Sequence, residues 1–133
     1  MTRSLLILFL LITAIPSFGQ NISGTYRGNL PCADCSGIEE TLILKCKAPC
    51  HSGRYVRRDK YLDTPDGDVS NEHTGKWRLI PNITGGLDTL HFDYDKPSIA
   101  SWSVFSDKNT LKPLDKDKQP IEAPVDMSLR KKR

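Results

Sequence analysis

The chain has 133 residues, of which 38% are hydrophobic and 26% charged, with 19 Lys and Arg against 16 Asp and Glu. A formal net charge of +3 gives no basis for nucleic-acid binding or for strong attraction to an anionic membrane. The length fits one domain with limited core volume.

Residues 1–20 read as a secretory leader. Arg3 supplies the positive start, 5–12 is a short apolar run, and Pro16, Ser17 and Gly19 give a turn and small residues. The run is too short to span a bilayer. Cleavage is expected near Gly19 or Gln20, leaving 21–133 as a single domain exported to the periplasm or the extracellular space. The first cysteine is Cys32, so a lipid on a cysteine at the new N-terminus is not expected. No second apolar run reaches membrane length, and no transmembrane segment is expected in 21–133.

The rest predicts strands almost throughout. Short apolar alternations are separated every eight to twelve residues by Gly, Pro, Asn and Asp. The expected strands are 22–30 with Tyr26 and Leu30, 38–46 with Leu42 and Leu44, and 54–62 with Tyr55 and Tyr61. They continue with 72–80 carrying Trp77 and Leu79, 87–94 with Leu90, Phe92 and Tyr94 on one face, and 99–105 with Trp102 and Val104. Segments 110–114 and 126–130 close the series. Segments 63–70, 81–86, 107–109 and 115–120 have turn chemistry. The basic run Arg130-Lys131-Lys132-Arg133 reads as a solvated tail. No helical period is present. The fold class is therefore all-β: a small antiparallel barrel or sandwich of about seven or eight strands, since closure removes exposed edges.

Four cysteines in a small exported domain favour disulfides. The short spacings make Cys32–Cys35 and Cys46–Cys50 the economical pairing. Cys32 and Cys35 form a Cys-x-x-Cys between Pro31 and Gly37, and three uses are open to it. It can close a structural disulfide. Reduced, it offers two soft thiolates to Cu(I). It can also act as an exchange-active or redox-read disulfide. Exchange catalysis requires a lowered thiol pKa, which Asp34 inside the motif opposes. Cys46, Cys50 and His51 form a second set, either a hairpin staple or a weaker zinc or copper site.

His73 and His91 fall on expected strands and read as surface or satisfied residues. Asp34, Glu39 and Glu40 read as a solvated loop face. No Gly-x-Ser-x-Gly, phosphate loop or His-Glu-x-x-His is present, and no enzyme is expected. The aromatics read mainly as core, with a ligand-binding barrel mouth as the second use.

The segment from Ser23 to Leu42, with Leu30-Pro31-Cys32-Ala33-Asp34-Cys35-Ser36-Gly37-Ile38 at its centre, resembles the opening of the NlpE N-terminal domain family. Gly75-Lys76-Trp77 resembles that family's Gly-x-Trp strand. Leu114-Asp115-Lys116-Asp117-Lys118-Gln119-Pro120-Ile121 and Met127-Ser128-Leu129-Arg130-Lys131 resemble its late turn and closing strand. The resemblance implies a lipocalin-like or OB-like barrel in the Gram-negative envelope. It also implies a non-enzymatic role in copper homeostasis and envelope-stress sensing, with an envelope-stress sensor protein as partner. Cys32 and Cys35 would then bind metal, copper as Cu(I), or form a redox-read disulfide. The alternative is a small barrel that binds a lipid or peptide, its disulfides purely structural.

Overall fold

The computed structural model describes residues 21–84 and 86–133; the expected leader lies outside them. Eight strands, β1 (Gly24–Leu30), β2 (Gly37–Cys46), β3 (Ser52–Thr64), β4 (Gly67–Ile80), β5 (Thr89–Phe92), β6 (Ser101–Asp107), β7 (Thr110–Pro113) and β8 (Leu129–Lys131), form a closed barrel in sequence order. Every neighbouring pair is antiparallel, and β8 closes onto β1 through Tyr26↔Lys131 and Arg27↔Arg130. This nearest-neighbour order is that of an up-and-down, lipocalin-like barrel, not of the five-stranded Greek-key OB barrel. No helix among the described residues is long and apolar enough to cross a membrane.

Strand alternation places one residue in two inside. Tyr26, Leu42, Leu44, Tyr55, Trp77, Leu90, Phe92, Phe105, Leu111 and Leu129, with Ile22, fill the core. Each such fully buried Leu or Phe side chain contributes about 1.5–3 kcal/mol. The polar tips of these core aromatics are partnered: Trp77 Nε1 donates to Arg54 O at 3.1 Å, and Tyr26 Oη to Ile22 O at 2.8 Å. Burial pushes the Tyr26 phenol up to about 12.

Four sequence expectations are corrected. The loop expected over 63–70 is a tight hairpin: β3 runs to Thr64 and β4 starts at Gly67. Asp63 and Gly67 take positive φ there, and Asp63 N–H donates to Asp68 Oδ1 at 3.0 Å, so local polar groups close the turn early. The fifth strand stops at Phe92; Asp93 takes φ 48° and donates its N–H to Lys76 O at 2.8 Å. Tyr94 is therefore not on the face of Leu90 and Phe92. In β6 the inner face belongs to Ser103 and Phe105, not to Trp102 and Val104. Finally, the closing strand expected over 126–130 is β8, Leu129–Lys131, so it starts later and takes in Lys131 of the basic run.

The strands are unequal, which gives the barrel two different ends. β3 and β4 have 13 and 14 residues, yet β4 pairs with β5 only over 77–80. Segment 67–76 and the opposing part of β3 rise above the closed ring. This open end also carries the β1–β2 connection and the β3–β4 hairpin.

Candidate functional site

The β1–β2 connection holds Cys32 and Cys35, bonded to each other with Cα atoms 5.3 Å apart. Both are half-buried, while Pro31, Ala33 and Asp34 around them are exposed. The loop is latched to the end of β3: Ser36 N–H donates to Leu62 O at 3.0 Å, and Ser36 Oγ to Asp63 Oδ2 at 2.7 Å. Neither cysteine belongs to the hydrophobic core.

The β2–β3 connection, at the opposite end, holds Cys46 and Cys50, also bonded, with Cα atoms 5.1 Å apart. This pair packs against the core together with Leu79. His51 is exposed, and its carbonyl accepts the Leu79 N–H at 2.7 Å. Among the described residues, no group of three or more His, Cys, Asp or Glu is arranged to hold a metal ion. The structure thus brings the two cysteines of each motif together. It does not gather Cys46, Cys50 and His51 as a ligand set, nor place His73 or His91 in a mixed site with Cys32.

Between the open end and the core lies a charged cluster that the sequence reading missed. Glu40, read as part of a solvated face, is only 8% exposed. Its inward carboxylate meets Arg57 Nε at 3.2 Å. The Arg57 guanidinium lies 5.5 Å and 5.3 Å from the Tyr55 and Phe92 ring centroids. Asp93, 3% exposed, accepts the Tyr55 hydroxyl and, at 3.1 Å, His73 Nε2 on the same oxygen, Oδ2. Burial holds the carboxyls of Glu40 and Asp59 above their usual range, against the pull of Arg57. Burial and the bond to Asp93 raise the Tyr55 phenol. The available signal was the strand period: Glu40 stands two residues before Leu42, and Arg57 two after Tyr55, so each shares a face with core residues.

His91 lies on the outer wall, stacked on Trp102 at 4.8 Å between centroids, with Arg78 3.2 Å from its Nδ1. Burial, then the charges of Arg78 and Lys118, lower its pKa. Tyr94 joins this outer group, with the Arg78 guanidinium 4.8 Å from its ring centroid. Trp102 is therefore held outside by its histidine partner and not by the core.

The chain matches the NlpE N-terminal domain model over residues 26–124. It is 30% identical over 105 residues to Lipoprotein NlpE of Escherichia coli (strain K12), across 79% of this chain and 39% of that protein. The chain thus spans about two-fifths of that relative's length. Its fold resembles a crystal structure of a Shewanella oneidensis protein, with TM-score 0.59 and 24% identity over 84% of this chain and 90% of the other. It also resembles the Cpx pathway activator NlpE from Escherichia coli, with TM-score 0.50 and 25% identity over 83% of this chain and 51% of that one. With that model matched over most of its length, the chain belongs to the NlpE N-terminal domain family.

Proposed function

We propose that this chain is an exported, non-enzymatic envelope-stress module in which the Cys32–Cys35 loop is the reporting element and an envelope-stress sensor protein is the partner. The carrying observation is the contrast between the two disulfides. Cys46–Cys50 packs on the core, so opening it disturbs buried apolar contacts. Cys32–Cys35 lies off the core, half-buried on an otherwise exposed loop at the open end, so its redox state can change while the barrel stays folded. The Escherichia coli protein that shares this fold is a Cpx pathway activator, which supports the signalling half of the reading.

Copper fits the same loop under one condition. A dithiol reductant must first supply two electrons and two protons, turning the disulfide into two thiols while the reductant becomes a disulfide. Two thiolates three residues apart then suit a two-coordinate Cu(I), which displaces both protons on binding. A barrel carrying an apolar lipid is less favoured: large side chains fill the lower interior, and Glu40, Arg57, Asp59 and Asp93 make the upper interior charged.

The test is a stress-pathway reporter in cells exporting the wild-type chain or Cys32→Ser/Cys35→Ser. Reporter output is expected to depend on copper or on a reductant in the wild type alone. Equal responses in both strains contradict the proposal.

A further inference from the structure

The basic run at 130–133, unused by the function above, helps to build a binding surface on the outer wall. There β8, β1, β2, β3 and β4 curve into an open concavity of about 820 Å³. Because residues directly opposite in a ladder share a face, one outward row reads Arg130, Arg27, Thr41, Arg58, Glu72 across the five strands. The next row reads Asn29, Glu39, Lys60, Ser70.

Lys132 adds a fifth cation to the lining, beside Arg27, Arg58, Lys60 and Arg130. The outward carboxylates are three: Glu39, Glu72 and Asp126. Glu40 and Asp59 also border the concavity, but their carboxyls turn inward toward Arg57. Three cations are compensated: Arg58 by Glu72 at 2.7 Å, Arg130 by Asp126 at 2.7 Å, and Lys60 by Asp68 at 3.2 Å. Arg27 and Lys132 have no ion-pair partner among the described residues. Arg27 also faces Arg130 directly across the β1–β8 ladder, and Asp126 pairs with only one of these two like charges.

We propose that this concavity binds an acidic, extended polypeptide segment of a partner protein. The cations do not converge on one point. From Arg130 to Arg58 the row crosses three strand spacings, roughly 14 Å, too far for one phosphate or carboxylate to bridge. An extended chain laid across the strands presents same-face carboxylates roughly 7 Å apart, within reach of successive Arg and Lys side chains. Thr41, Asn29 and Ser70 supply neutral hydrogen-bonding groups between the charges, which suits a polypeptide. A flat bilayer surface fits a concave wall poorly.

The probe is a fluorescein-labelled ten-residue polyglutamate peptide, its anisotropy titrated with the protein. Wild type is expected to bind it, and to release it near 1 M salt, where the Debye length falls to about 3 Å. Arg27→Glu is expected to weaken binding about tenfold or more, Arg27→Gln and Lys132→Glu by less, and Lys116→Glu, on an exposed turn outside the concavity, not at all. Matched melting temperatures separate lost binding from lost folding; Arg27 is exposed and unpartnered, so its variants should fold. Equal weakening by Lys116→Glu and Arg27→Glu overturns the proposal in favour of general charge. So does capture of phosphatidylglycerol vesicles without capture of the peptide, or failure of wild type to bind the peptide.

Discussion

The carboxylate of Asp93 fills the space that a β-carbon on Gly75 would take, with Oδ1 against the glycine and Tyr55 Cε1 2.8 Å from the same point. Only glycine at 75 lets the β5–β6 turn deliver a carboxylate into the barrel, where it accepts from both Tyr55 and His73. Gly75→Ala is therefore expected to expel Asp93 and leave the buried Tyr55 hydroxyl without its acceptor. The loss should be about 2–4 kcal/mol, read as a lower midpoint in denaturant. Unchanged stability would contradict the packing described.

Glu40 and Asp59 make stability pH-dependent in a defined direction. Burial raises both carboxyls in the folded state, so the native protein holds protons that the unfolded chain has already released. Their contribution is full below the usual carboxylate value and is lost as pH rises through the raised, folded value. Denaturant unfolding across the acid range should show this component, and Glu40→Gln should diminish it. An identical pH profile in wild type and variant would rule Glu40 out as a source.

His91 acts with the opposite sign. Its folded pKa lies below the usual value of 6.5, so the native state binds fewer protons than the unfolded chain as pH falls through that region. Its contribution is present above 6.5 and is lost on acidification through the lowered value. His91→Gln should remove this component and release Trp102 from its stack, shifting the indole emission. No change in emission would contradict the stacked geometry.

What the sequence made legible followed the strength of local alternation. Leu42 and Leu44 alternate with Thr41 and Ile43 along their strand, and both are in the core. Trp102 and Val104 carry an equally clear period, yet that face is outside. The choice between the two faces of β6 was set by partners distant in sequence: His91 across the β5–β6 ladder takes the indole, and Ser103 faces inward opposite Leu90. A shift of one residue exchanges the faces, and local sequence alone does not fix it. The cysteine pairs were visible because their partners are close in the chain. The inner charged cluster was not, since Glu40, Arg57, His73 and Asp93 come from four separate segments. A basic run such as 130–133 has solvated-tail composition; pairing with β1 and β7 takes its first two residues, Arg130 and Lys131, into a strand.

The two disulfides should differ in what they hold. Each ring is small, and its loop-entropy contribution is about 2 kcal/mol. Replacing Cys32 and Cys35 by Ser should cost no more than that. Replacing Cys46 and Cys50 by Ser should cost more, because two half-buried sulfurs packed on the core give way to hydroxyls. Denaturant midpoints of the two double variants rank them; the reverse order would contradict the assignment of Cys46–Cys50 as the structural pair.

The most direct measurement is a redox titration of the purified protein with a dithiol, each point trapped by alkylation and read by mass after proteolysis. Cys32 and Cys35 are expected to become alkylated first, with the circular dichroism of the barrel unchanged, and Cu(I) added at that point is expected to protect those two thiols and no others. If Cys46 and Cys50 open first, or if Cys32–Cys35 opens only as the barrel unfolds, the loop is a staple and the proposed sensing role is wrong.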